Sequence, residues 1–200
     1  MWVIKISGNL NKDPLLPPWL ELMAQLGGGR VTVVCGGGSF VDEVRRSQAH
    51  WRLDDLPARN MAVLAMAQMA YLAHGLEPRL RLADSEASIR QVLRAGHTAL
   101  WLPVELLRDD PNGDAKWDLN SDSIALDLAC RLNAEHLVLV KANVTDPAAS
   151  LAELSKTGVV ERSFESIANG AGLPIDIVHR TDLARMRTLL QGDSNPISAG

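Results

Sequence analysis

The chain has 200 residues, 46% hydrophobic and 22% charged, which supplies one sizeable core at a length below that at which chains usually split. A net charge of −4 argues against a nucleic-acid or anionic-membrane surface as the main partner, and the two cysteines, Cys35 and Cys130, each in an apolar run, point to a reducing compartment rather than a disulfide framework. No apolar stretch reaches the roughly 20 residues of a membrane span and the first residues do not read as a signal peptide, so a cytoplasmic protein is expected.

In chain order, Trp2–Ile6 reads as a strand, followed by the polar turn Ser7-Gly8-Asn9. A helix after Pro17-Pro18 carries Leu20, Met23 and Leu26 as its apolar stripe and stops at Gly27-Gly28-Gly29. Val31–Cys35 is a second strand, apolar on both faces, as a parallel sheet covered by helices requires. After Gly36-Gly37-Gly38, Ser39 with Asp42 three residues later predicts a helix capped by Ser39. A long helix begins near Asp55, has Pro57 in its first turn, and ends at His74 with Gly75 as its stop. Strands over Arg79–Leu82 and Thr98–Leu102 flank a helix capped by Ser85 and closed by Gly96. A helix over Ser121–Leu132, strands over His136–Val140 and Ile175–Val178, and a closing helix over Asp182–Leu190 complete the pattern. The repeated β-α order predicts an α/β fold, a three-layer αβα sandwich with a mostly parallel central sheet. The expected domain covers 1–191, and the Ser/Gly/Pro-rich end at 192–200 reads as a flexible tail.

Ligands of open α/β sheets bind beyond the carboxyl ends of the strands, and three segments carry suitable groups there. In Lys5-Ile6-Ser7-Gly8-Asn9 a lysine closes a strand and a glycine opens the turn, pairing a mobile point charge with backbone free to approach an anion. The plain alternative is a surface lysine beside an ordinary turn. In Cys35-Gly36-Gly37-Gly38-Ser39 the glycines stand between a strand and a helix N-terminus, where bare amides and the positive helix end favour anions. They match neither the Walker nor the dinucleotide pattern, and could serve only tight packing. In Trp117–Ser123, Asp122 either compensates the dipole of the helix it opens or positions a lysine ammonium from a neighbouring strand end. The five histidines show no metal-ligand spacing, so no metal site is assigned.

In this order Lys5-Ile6-Ser7-Gly8-Asn9, Gly36-Gly37-Gly38 and Asn120-Ser121-Asp122 resemble the amino acid kinase superfamily, which typically shows K-x-G-G-S, then G-G-G, then N-x-[ND]-x-D-like segments. The likeness covers nearly the whole chain. A narrower one, carried by Gly36–Phe40, by Trp117–Ser123 and by the small size, is to the short kinases of methanofuran and methylofuran synthesis. The resemblance implies an amino acid kinase-like fold, ATP and Mg²⁺ as cofactors, a small anionic substrate such as a furanmethyl phosphate, and a homodimer. It assigns catalysis to Lys5, which would neutralise the transferring phosphoryl group, and to Asp122, which would hold the catalytic ammonium rather than act as a base. Phosphate binding falls to Gly8, Gly36, Gly37 and Gly38, with Ser7, Asn9, Asn120 and Ser121 of the same segments read as substrate or phosphate contacts. From location alone, Lys141 with Asn143 is read as nucleotide-binding and Arg59 as a grip on an anionic substrate, while Trp117 either stacks on a flat ring or lids the core.

Three departures accompany the resemblance. Ser7 stands where many relatives have glycine, and Lys141–Pro147 replaces the common T-D-V-x-G nucleotide loop. Relatives carry a second lysine on the helix before the last strand, whereas Phe164–Gly170 has none. Either Lys141, Arg162 or Arg180 substitutes, or the chain is a catalytically degenerate nucleotide-binding or scaffold member. A kinase of amino-acid carboxylates is a further alternative. Of Arg45, Arg46, Arg52 and Arg59, most are read as a solvated face, with Arg59 as the exception that grips substrate; Met61, Met66 and Met69 are read as core or dimer seam.

Overall fold

The β-branched run Trp2–Ile6 becomes β1, the third strand from one edge of a parallel sheet. The computed structural model describes residues 1–109, 121–143, 151–160 and 162–192. Among them, β1, β2 (Val31–Cys35), β3 (Arg81–Ala83), β4 (Ala99–Trp101), β5 (His136–Lys141) and β6 (Ile175–His179) lie in the order β3-β4-β2-β1-β5-β6, every neighbouring pair parallel. The chain passes from β1 to β2 on one side and reaches β5 on the other, so the strand order reverses around β1, the place where such sheets open a crevice.

Alternation along the strands sends side chains to two cores. Val3, Val34, Leu137 and Leu139 face α4 (Glu86–Arg94), α5 (Ser121–Arg131) and α7 (Arg162–Ala171), through residues such as Ile89, Ile124, Leu128 and Phe164. Ile4, Ile6, Val33, Val138 and Val140 face α1 (Leu16–Leu26) and α8 (Leu183–Gln191), through Trp19, Leu20, Met186 and Leu190. Both faces of β1, β2 and β5 are therefore covered, which explains their predominantly apolar character. Each large aliphatic side chain buried this way contributes about 1.5–3 kcal/mol.

Two helices pack against each other beside this sandwich. These are α2 (Gly38–Trp51) and α3 (Asp55–Leu76). The long α3 serves both cores, giving Val63 and Met66 to one and Met69, Ala70 and Ala73 to the other. A short α6 (Leu151–Lys156), which the sequence pattern does not announce, adds Leu154. Short 3₁₀ segments, Gly8–Lys12 after β1 and Pro103–Leu106 after β4, were likewise not foreseen.

Several local expectations need correcting. Ser39 does not cap α2: the helix starts at Gly38 with Gly37 as its N-cap, because side-chain-free backbone coils one residue early, and the Ser39 hydroxyl is taken by Asn11. Gly75 does not stop α3, which runs to Leu76 and closes where the Glu77 N–H bonds the Ala73 carbonyl. The strands β3 and β4 are displaced or shorter than their apolar runs, at Arg81–Ala83 and Ala99–Trp101. Ser85 caps α4 as expected, in a reciprocal box with Ser88. The residues 193–200 of the expected tail lie outside the described residues.

Candidate active site

Lys5 is the one basic residue inside β1, aligned with Val34 of β2 and Leu139 of β5, and it points into an otherwise apolar face with only 3% of its surface exposed. A charge in that position demands a partner. The partner is Asp122, in the first turn of α5, whose carboxylate oxygen Oδ1 lies 2.7 Å from the Lys5 ammonium. Asp122 is itself 2% exposed. Lys141, the last residue of β5, donates to the other oxygen, Oδ2, and also to the Val159 carbonyl at 3.0 Å. One buried carboxylate thus organises two ammoniums arriving from neighbouring strands. Burial pushes the Asp122 carboxyl up, but the charges and hydrogen bonds of Lys5 and Lys141 outweigh it and hold the group below the usual aspartate range. The positive end of α5 acts in the same direction.

Beside this cluster the two glycine loops meet. The Ser7 N–H continues the ladder to the Val140 carbonyl, and the Gly36 N–H to that of Ile6, so both loops leave the sheet side by side. A Cβ on Gly8 would run into the Gly38 backbone nitrogen, with the Gly38 Cα at 2.6 Å and the Gly36 carbonyl carbon at 2.8 Å. Gly38 has φ 55°, in the left-handed region, and a Cβ there would collide with the Gly8 carbonyl. Only glycines permit this backbone-on-backbone approach.

The result is a cleft of about 220 Å³ at the carboxyl ends of β1 and β2. One wall is polar: Lys5, Ser7, Gly8, Asn9, Ser121 and the loop Gly36–Gly38. The other is aliphatic, with Val41 from α2, Ala62, Val63 and Met66 from α3, and Ile124 from α5. Asp42 and Arg45, one turn into α2, complete the lining and face each other at 3.5 Å. Such a wall of backbone amides, hydroxyls and an ammonium can hold a tetrahedral anion, while the opposite wall can receive an apolar body.

The structure therefore brings Lys5, Ser7, Gly8, Asn9, Gly36, Gly37, Gly38 and Ser121 to one cleft, with Asp122 and Lys141 behind Lys5. Asn143 follows β5 on the exposed side. Arg59 is not part of the cleft lining. It sits half-buried on α3, where burial first and the nearby Arg108 second lower its pKa. Arg45 is exposed, as read from sequence, and it also borders the cleft, since Val41 and Arg45, four residues apart, lie on one side of α2. Arg180 forms an ion pair with Asp13. Trp117 and Asn120 lie outside the described residues.

No curated protein sequence matches the chain. Its fold is similar to that of uridylate kinase from Archaeoglobus fulgidus, with TM-score 0.67 at 13% identity over 96% of this chain and 95% of that one. UMP kinase from Bacillus anthracis gives 0.68 at 15% identity over 96% and 91%, and UMP kinase from Ureaplasma parvum 0.64 at 14% identity over 96% and 94%. At such identities the likeness is one of fold. A sequence model of the amino acid kinase family matches residues 1–143, and with more than half of its length inside that match the chain belongs to the amino acid kinase family.

Proposed function

We propose that this protein is an ATP-dependent phosphotransferase acting on a small anionic molecule, with Lys5, Asp122 and Lys141 at its catalytic centre. The observation that carries the reading is the sharing of one buried carboxylate by two lysines next to a glycine-built anion cradle. Phosphoryl transfer asks mainly for positioning and neutralisation of charge on the equatorial oxygens. An acceptor oxygen bonds to the γ-phosphorus as the bridging bond to the β-phosphate breaks, and ADP leaves. Lys5 meets the transferring group from the cleft side, and Lys141 takes the place of the lysine that relatives carry before the last strand. Asp122 keeps both ammoniums charged and aimed. Amides of Gly8 and Gly36–Gly38, with the hydroxyls of Ser7 and Ser121, would hold the phosphates, and Asn143 lies on the nucleotide side. A phosphate or carboxylate acceptor is already anionic at neutral pH, so no general base is required.

The residues suit a nucleotide that brings its own Mg²⁺. Among the described residues no three His, Cys, Asp or Glu side chains gather into a metal site, and Asp122 is occupied by lysines. Magnesium commonly binds through substrate phosphates and retained waters, where it bridges and neutralises them. The aliphatic wall of Val41, Val63, Met66 and Ile124 favours an acceptor with an apolar body, such as a furanmethyl phosphate of C1-carrier synthesis, over a bare amino-acid carboxylate.

The protein acts in this reading as a homodimer. Residues 60–76 of α3 contain no Asp, Glu, Lys or Arg, yet Leu64 and Tyr71 are 44% and 60% exposed. An antiparallel two-fold crossing beside Gln68 sets Leu64 over the partner's Tyr71, so the uncharged stripe is complementary to itself.

The test is an assay of ADP formation with ATP and Mg²⁺ against a panel of small phosphates and carboxylates, with hydroxylamine to trap any acyl phosphate. Turnover with a phosphate acceptor that Lys5→Ala abolishes supports the reading. Nucleotide binding without turnover on any acceptor would establish instead the degenerate member that the lysine-free α7 suggests.

A further inference from the structure

We infer that Asn11 is a positioning residue that latches the two glycine loops together through Ser39. Asn11 belongs to the 3₁₀ segment that follows β1, and Ser39 to the first turn of α2, so 28 residues of sequence separate them. The Asn11 Nδ2 group donates to the Ser39 hydroxyl oxygen at 2.5 Å. The same Asn11 side chain lies over Gly38: its Cγ would stand 3.2 Å from a Cβ built there. Neither Asn11 nor Ser39 lines the cleft, so neither is placed to touch what binds in it.

The two loops need such a fastening. Gly8 and Gly38 touch backbone to backbone with no side chains to interlock, and glycine is the residue with most conformational freedom to lose. The strand ladders hold the loops only as far as Ser7 and Gly36. Beyond those points the orientation of the Gly38 and Ser39 amides depends on what restrains the start of α2, and that helix has no side-chain N-cap of its own. Asn11 supplies the restraint from outside the helix. It fixes the Ser39 hydroxyl on one side and closes over Gly38 on the other, holding Gly38 at φ 55° between itself and the Gly8 carbonyl. The latch matters for function because a preorganised set of amides binds an anion without first paying to order itself.

The inference rests on the anion cradle of the proposed function, and its test separates the two. Inorganic pyrophosphate is titrated calorimetrically into wild type, Asn11→Ala, Ser39→Ala, the double variant and Ser39→Thr, with thermal melting recorded for each. A latch predicts pyrophosphate binding weakened about tenfold in each alanine variant, the loss of one hydrogen bond's worth of order. The double variant should be no weaker than either single one, because both remove the same bond. Ser39→Thr, which keeps the hydroxyl, should bind as wild type does. Wild-type affinity in Asn11→Ala, or losses that add in the double variant, overturns the latch. If wild type binds no pyrophosphate, the cradle reading fails and the latch is decided by amide hydrogen exchange: faster exchange at Gly38 and Ser39 in Asn11→Ala sustains it, and unchanged exchange overturns it.

Discussion

Lys5 and Lys141 divide one carboxylate between them, Lys5 taking Oδ1 of Asp122 and Lys141 taking Oδ2. The two ammoniums come from adjacent parallel strands, and like charges so placed repel unless a counter-charge lies between them. Asp122, delivered by the first turn of α5, is that counter-charge. The arrangement sets two positive groups against one negative at the switch point of the sheet, the net positive charge on which the proposed function relies.

Each lysine should therefore matter to turnover. Lys5→Ala and Lys141→Ala are expected to lower kcat by about 10²–10³, the usual loss when a preorganised positive group at developing charge is removed. The double variant should fall short of the product of the two, because the lysines act through a shared carboxylate. ADP release at saturating acceptor measures both effects. A Lys141→Ala enzyme as fast as wild type would take Lys141 out of the chemistry and leave it a structural ion pair.

Asp122 carries a pH signature in stability as well as in activity. Its pKa is lowered in the folded protein, so its contribution is fully present above the ordinary aspartate range and is lost as pH falls through the lowered value. Urea midpoints of wild type should decline on acidification through that window, while those of Asp122→Asn should change less. At neutral pH, Asp122→Asn leaves two largely buried ammoniums without their counter-charge and should cost about 3–5 kcal/mol. Equal midpoints for the two proteins at pH 7 would contradict the ion-pair geometry.

A single methyl group tests the meeting of the loops. In Gly8→Ala the new Cβ has only backbone to push against, at Gly38 and at the Gly36 carbonyl carbon, so the loops must separate. Overpacking of this kind costs about 1–3 kcal/mol. Phosphate affinity should drop more than stability, because the displaced atoms are the cradle itself. Gly170→Ala, in α7 where a Cβ would meet nothing within 4 Å, is the control: it should leave phosphate affinity unchanged and not lower stability, since alanine favours a helix over glycine.

Much of this was legible in the sequence, for physical reasons that differ from residue to residue. β1, β2 and β5 announce themselves because both faces are buried, and the glycines announce themselves because three in a row between a strand and a helix have few other uses. The sequence also places Lys5 and Asp122 at strand and helix ends, where their meeting is a matter of topology. The partnership of Lys141 with Asp122 was not legible, since it depends on β5 lying against β1, a long-range pairing no local pattern encodes. Asn11 was not legible either: a polar residue on an exposed-looking turn reveals its role only when the facing loop is known. Ser39 looked like a cap because a hydroxyl before an acidic residue usually is one, and glycine backbone overrode that preference.

The homodimer can be tested by exchanging charges across its proposed two-fold axis. In an antiparallel crossing beside Gln68, residue 64 of one copy faces residue 71 of the other, and the contact occurs twice. Leu64→Lys alone or Tyr71→Lys alone puts two like charges into an uncharged seam and should convert the protein to its 21.7 kDa monomer in sedimentation experiments. Leu64→Lys combined with Tyr71→Glu instead creates two opposite-charge pairs and should restore a species of about twice that mass, more weakly at high salt. A wild type that sediments as a monomer refutes the homodimer. Single variants that dissociate without rescue by the pair refute the register while leaving the face. Because α3 turns Ala62, Val63 and Met66 toward the cleft and Leu64 and Tyr71 away from it, the monomeric variants should retain phosphate binding, and any loss they show would measure how far the partner braces the apolar wall.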